Sequence, residues 1–339
     1  VPNPAIQSIT TTALFHFPVP PFLLLLLLLL LLPSLHSLSS YQPNPPQKPT
    51  SSQMSTAQSD VTLALAKKES AEHLGKEMDD LRADMLSRSV TVTAKLQDPS
   101  CASSASLSTG SKKMVKTKTV HFMRHGQGFH NLLADMRRSA GQNWTQFVND
   151  PEKNPYVMPE VLDAPLTDKG RRQAMDARKE VTSFANPVEL VVVSPLCRAT
   201  QTGLIAFEHL IPTEQTALTA KKLFVAHEGA REESGVHLCD KRRPIREAKN
   251  EFPHVDYQFV TSDEDDIFSP TTRESKKEVG ERIYQFLMFL KDRPESHIAV
   301  ATHSGWLMTL FNGVVDCEGS LREWFNTGEL KSVEMSWLE

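Results

Sequence analysis

The chain has 339 residues, 40% of them hydrophobic, which is enough for a substantial core in one large domain or two ordinary ones. Lys and Arg number 37 against 41 Asp and Glu, and the formal charge of -4 excludes a broad basic field of the kind that binds nucleic acid without sequence preference. Any anion site must be local.

In chain order, residues 1–56 are rich in Pro, Ser, Thr and Gln, almost uncharged and of low complexity. They are broken by a ten-leucine run from Leu23 to Leu32 that ends at Pro33. The run is shorter than the roughly 20 apolar residues a bilayer requires. It has the length of a signal-peptide core, yet no Lys or Arg precedes it. Membrane association is expected only through this run, and the alternative is that it precedes a natural start at Met54. Residues 57–97 turn charged and helix-favouring. Leu74, Met78, Leu81 and Met85, spaced four, three and four, predict an amphipathic helical extension that docks or frays. Residues 98–112, rich in Ser and Gly, read as a linker, which sets the domain boundary before residue 113.

From there on, short apolar runs alternate with amphipathic segments. Thr119–Met123, Glu189–Val193 and Ile298–Ala301 predict buried parallel strands; Thr167–Phe184, Ala199–Leu210 and Ser275–Leu290 predict helices. This alternation implies an α/β sandwich around a mainly parallel sheet, whose ligands sit beyond the carboxyl ends of the strands. Each predicted strand runs into a polar loop: RHGQGFHN, SPLCRATQT and THSG. Folding would gather Arg124, His125, Arg198 and His303 at one sheet edge. The strings VHFMRHG, SPLCRAT and VATHSGW supply no carboxylate to match them, and planar guanidinium groups pair with phosphate oxygens in bidentate fashion, so phosphate is the fitting ligand.

The segment TVHFMRHGQGFHN resembles the RHG signature of the histidine phosphatase superfamily, the phosphoglycerate mutase-like family. LTDKGRRQA from Leu166 to Ala174, VVVSPLCRATQT and VATHSGW resemble further elements of that family in its order, from about residue 117 to 311. The resemblance implies a three-layer α/β/α sandwich, His125 as a nucleophile that becomes phosphorylated, and Arg124, Arg198 and His303 holding the phosphoryl oxygens. Asn131 matches the polar residue that follows the histidine. Imidazole accepts a phosphoryl group when neutral, and surrounding cations favour that form and stabilise the transferring group. No metal and no cofactor are therefore expected.

The family takes its proton donor from an excursion between the second and third loops. Glu232 matches the RE-x-x-G form there, one residue closer to Gly235 than the commonest pattern, with Glu228 and Glu233 as alternatives. The string GVHLCDKRR resembles that of plant and fungal mutase-like proteins, so a phosphatase acting on a small phosphorylated substrate is expected over a mutase. A non-catalytic phospho-ligand binder is the competing class. Lys241, Arg242, Arg243 and Arg246 could form a second anion subsite. Asp263 to Asp266 reads as an exposed turn without the ligand periodicity of a calcium loop. Asn143 opens a glycosylation sequon that matters only in a secreted chain. The four cysteines, Cys101, Cys197, Cys239 and Cys317, form no CxxC pair, and free thiols in a reducing, cytoplasmic setting are expected.

Overall fold

Runs of β-branched and small apolar residues supply the centre of the fold, and the chain's helices close over both faces of it. The computed structural model describes residues 72–97, 112–142, 145–146, 148–212 and 223–339. Among these, eight strands form one sheet: β1 (Thr91–Leu96), β2 (Met114–Arg124), β3 (Leu190–Val193), β4 (Phe224–His227), β5 (Val255–Phe259), β6 (His297–Thr302), β7 (Asp316–Cys317) and β8 (Leu330–Leu338). Their order is β5-β4-β3-β6-β2-β8-β1-β7. All neighbours are parallel except β8, which runs antiparallel to both β2 and β1, so the sheet is mainly parallel as expected.

The helices are α1 (72–87), α2 (Phe129–Ser139), α3 (Asp168–Val181), α4 (Cys197–Ala206), α5 (Ile245–Glu251), α6 (Lys276–Asp292) and α7 (Ser304–Thr309), the last running on into a π turn at Leu310–Val314. Every residue of β3 is buried, which fits a strand covered on both sides. Leu190 and Val192 join the main core cluster together with Ile283, Phe286 and Leu287 of α6. Val191 and Val193 alternate to the other face, where α4 lies so close that a Cβ on Gly203 would come within 2.7 Å of Val193 Cγ1. Local chemistry starts the helices where the sequence says they start. The Thr167 hydroxyl accepts the Gly170 N–H at 3.1 Å ahead of α3, and Ser275 and Glu278 form a reciprocal cap on α6.

The stripe read from the sequence of α1 is its buried face. Met78, Leu81 and Met85 enter the main core cluster, and Leu74 packs against it. Leu81 fits between two positions that lack side chains: a Cβ on Gly280 or on Gly313 would each come within 2.6 Å of a Leu81 methyl. Arg82 pairs with Asp316 and Arg88 with Glu281. Strand β1 then lies between β8 and β7. Residues 72–96 thus share one sheet and one core with the segment from Lys113 onward, whereas the sequence reading sets a boundary after them. The cause is long-range pairing of β1 with β8, over 240 residues away in register at Thr91 and Leu338, which no local pattern reports.

The low-complexity segment, the leucine run, Cys101, most of the linker and Asn143 lie outside the described residues. Among the described residues no helix is long and apolar enough to cross a membrane. Cys197, Cys239 and Cys317 carry free thiols. Because Leu81 is 4% exposed and clasped by two glycines, Leu81→Ala should lower unfolding free energy by about 3 kcal/mol. Urea denaturation of the full chain checks this; a loss under about 1 kcal/mol would mean that α1 is not part of the core.

Candidate active site

Three adjacent strands deliver the polar loops to one place. In register, Arg124 of β2 stands beside Thr302 of β6, and Ala301 of β6 beside Val193 of β3, so the three loops leave the sheet at one level. The chain forms β3 after β2 but inserts β6 between them later, and this reversal of strand order opens a crevice at the carboxyl ends. Gly126 and Gly170 have a shared reason. A Cβ on Gly126 would come within 2.3 Å of Gly170 O, and one on Gly170 within 2.2 Å of Gln127 O. The backbone after His125 therefore touches the first turn of α3, an approach only glycine permits.

His125 is 2% exposed. Its Nδ1 lies 2.6 Å from the Gly126 carbonyl oxygen, which can only accept, so Nδ1 carries the ring proton and Nε2 presents its lone pair. Arg198 Nε donates to that lone pair at 3.2 Å. The His303 and His130 rings stand 5.1 and 5.7 Å away. Burial first, then the charge of Arg198 and the neighbouring groups His303 and Arg124, push His125 well below the usual histidine range, so the ring is neutral at physiological pH.

Arg198 is 1% exposed and donates from its two terminal nitrogens to Cys239 O and to Asp240 Oδ1, the latter at 2.8 Å. The expectation that this cation lacks a buried acidic partner is therefore wrong; Asp240 stands 42 residues away in sequence, beyond the local strings searched. Burial raises the Asp240 carboxyl, but the bond from His237 and the charges of Arg273 and Arg198 outweigh it and hold the group well below the carboxylate range. Arg124 donates to Phe325 O at 2.7 Å and stacks its guanidinium 5.5 Å from the Trp324 ring; among the described residues its buried Nε has no hydrogen-bond partner, nor does buried His303 Nδ1. His303 Nε2 meets Ser194 Oγ at 2.8 Å. Two buried nitrogens without partners beside a neutral imidazole are groups that an oxyanion would satisfy.

Arg124, His125, Asn131, Arg198 and Glu232 all line one cavity of about 550 Å³, with His303 behind His125. Asn131 Oδ1 accepts the Gly128 N–H at 3.0 Å and so also starts α2, leaving its amide N–H groups as the part able to meet a ligand. Of the three acid candidates, Glu228 does not line the cavity and pairs with Arg231 and Arg242. Glu233 lines it but pairs with Lys276 and Arg273. Glu232 lines it with no ion pair among the described residues: Oε2 accepts the Gly305 N–H at 3.0 Å, and Oε1 accepts those of Trp306 and Glu233. The cluster from Lys241 to Arg246 is not brought to the cavity. Arg242 pairs with Glu228, Arg243 with Asp163 and Glu251, and Arg246 with Asp263 and Glu264. The acidic run is in part its counter-charge, and within it the Asp265 side chain is fully buried against Arg231 instead of exposed. Sequence reading missed His130, Tyr156, Asp240 and Trp324 in the cavity wall; His130 stands inside the RHGQGFHN string and was there to be weighed.

The family model described as the histidine phosphatase superfamily, branch 1, matches residues 152–338, more than half of the chain. The chain belongs to this superfamily. The matched range holds Arg198, Glu232 and His303 and begins after Arg124 and His125. A phosphoglycerate mutase-like protein of Arabidopsis thaliana is 32% identical over 229 residues, covering 61% of this chain and 79% of its own length. Phosphoglycerate mutase-like protein 1 of the same plant is 32% identical over 221 residues, covering 59% and 72%. A protein of Schizosaccharomyces pombe named as a probable phosphatase is 27% identical over 207 residues, covering 60% and 82%. For a histidine phosphatase superfamily member the state of the imidazole is decisive, and it can be read without turnover. The ¹⁵N resonances of His125 should keep the Nδ1–H tautomer from pH 7.5 down to 5.5, because its folded-state pKa is depressed. A titration centred near pH 6.5 would contradict this.

Proposed function

We propose that the chain is a phosphatase that hydrolyses a phosphate monoester through a phosphohistidine on His125, without a metal ion. The observation that carries this is the neutral His125 ring, whose Nε2 lone pair faces Arg198 while Nδ1 is anchored to Gly126. On substrate binding, Arg198 Nε exchanges its bond to Nε2 for one to a phosphoryl oxygen. Arg124 Nε and His303 Nδ1 can take further oxygens. Nε2 attacks phosphorus, the bond from phosphorus to the ester oxygen breaks, and the leaving oxygen takes a proton. Glu232 is the donor on this reading, and Oε2, with its single backbone bond, has room for the proton. In the second half, Glu232 takes a proton from water, the water oxygen attacks phosphorus, and the phosphorus–nitrogen bond breaks to restore the imidazole and release phosphate. Two guanidinium groups supply the positive charge that a metal ion would otherwise bring to the transition state.

A mutase must also hold the carboxylate of a phosphoglycerate while the phosphoryl group changes hydroxyl. The cations from Lys241 to Arg246, the sequence's candidates for that task, are away from the cavity, which favours hydrolysis. A non-catalytic binder would have its acid displaced from the pocket, whereas Glu232 lines the cavity, which supports the catalytic reading. The full chain should turn over p-nitrophenyl phosphate with EDTA present. His125→Ala should lose at least about a thousandfold in kcat/KM and Arg198→Ala about a hundredfold or more, with circular dichroism unchanged. Activity that EDTA abolishes and a divalent ion restores would overturn the metal-free reading; activity surviving in His125→Ala would overturn the nucleophile.

A further inference from the structure

Helix α1 does more than fill the core. At its amino end, His73, Leu74 and Glu77 form part of the wall of the same cavity that holds His125. They lie before the range that the superfamily's model matches. Side chains of both charges line this cavity. The phosphate end has Arg124 with no ion pair among the described residues, and Arg198. Arg198, Arg273 and Lys276 share the carboxylates of Asp240 and Glu233. Glu77 lines the cavity as Lys276 does, with its Oε1 3.7 Å from His73 Nε2. Apolar surface is also available there. Leu74, Met308 and Trp324 line it, and Trp324 is 55% exposed, an unusual state for a tryptophan.

We propose that α1 sets substrate specificity, making the cavity accept phosphate monoesters with an apolar, uncharged leaving group and reject those whose leaving group carries a further negative charge. The organic part rests against Leu74, Met308 and Trp324, and Glu77, on the same wall, repels a second anion. Selectivity of this kind needs the repulsive element as well as the apolar contact. The specificity of the reacting end rests on the phosphatase reading, but the discrimination of α1 is a binding property and is measured without turnover.

Calorimetry of the full chain with phenylphosphonate and 2-carboxyethylphosphonate, neither of which can be hydrolysed, tests it. Phenylphosphonate should bind about tenfold more tightly. In Glu77→Lys, at a side chain already 39% exposed, the ratio should shift by about tenfold toward the carboxylated ligand. Leu74→Ser should weaken phenylphosphonate by about fivefold and leave the other ligand unchanged. Equal affinities in the unaltered chain, or a ratio that Glu77→Lys does not move, would overturn the proposal. A shifted ratio in a chain with no turnover would sustain it while overturning the phosphatase reading alone.

Discussion

The site depends on one buried guanidinium. Arg198 binds His125 Nε2, the Cys239 carbonyl and the Asp240 carboxylate at once, and it is almost wholly withdrawn from water. A guanidinium so desolvated would be strongly destabilising if unpaired, and Asp240 meets that need. Asp240 in turn is held by Arg273 and His237, so the excursion after β4 is tied to the loop after β3 through charge. That excursion also carries Glu232, and its backbone bends sharply where it enters: Gly235 and Val236 both have positive φ, and a side chain on Gly235 would meet Thr272 O at 1.9 Å. A β-branched residue in that region is strained, and such strain persists only where surrounding contacts enforce it. The segments that carry Glu232 and Arg198 are thus joined by the same ion pair.

Arg198 also shapes the His125 ring. A cation beside an imidazole disfavours its protonation, and burial acts in the same direction, so His125 stays neutral without any acidic partner of its own. His130 and His303 are depressed for similar reasons, burial first and then Arg198. Around His125 the positive charge therefore resides on Arg124 and Arg198, with the neighbouring rings neutral. This suits an oxyanion whose charge grows on the transferring oxygens, since the donors are already oriented and dehydrated.

Much of this was legible beforehand where period and loop chemistry coincide. The three central strands, the helices beginning near Thr167 and Ser275, and the convergence of Arg124, His125, Arg198 and His303 follow from alternating apolar runs that each end in a polar loop. Strand β8 was equally open to reading, because Val333, Met335 and Trp337 alternate at period two and all are buried. What local patterns could not disclose was partnership across distance. Asp240 meets Arg198, Asp265 meets Arg231, and β1 meets β8 only after the chain has closed on itself. The run from Lys241 to Arg246 looked like a ligand site for the same reason: its counter-charges at Asp163, Glu228, Glu251 and Asp263 are scattered through the sequence. The stripe of α1 predicted a buried face correctly, but not that its first turn would reach the cavity.

On the proposed mechanism, His125 Nε2 becomes covalently phosphorylated. Mixing the full-length Glu232→Gln variant, in which both half-reactions lack their proton carrier, with excess p-nitrophenyl phosphate, quenching in alkali and mapping peptides by mass spectrometry would test this directly. A phosphoryl group on the peptide bearing His125, stable to alkali and lost in acid, is the result expected of an imidazole nucleophile. A phosphoryl group on a peptide without His125, or turnover with no phosphorylated peptide while the product still forms, would contradict it.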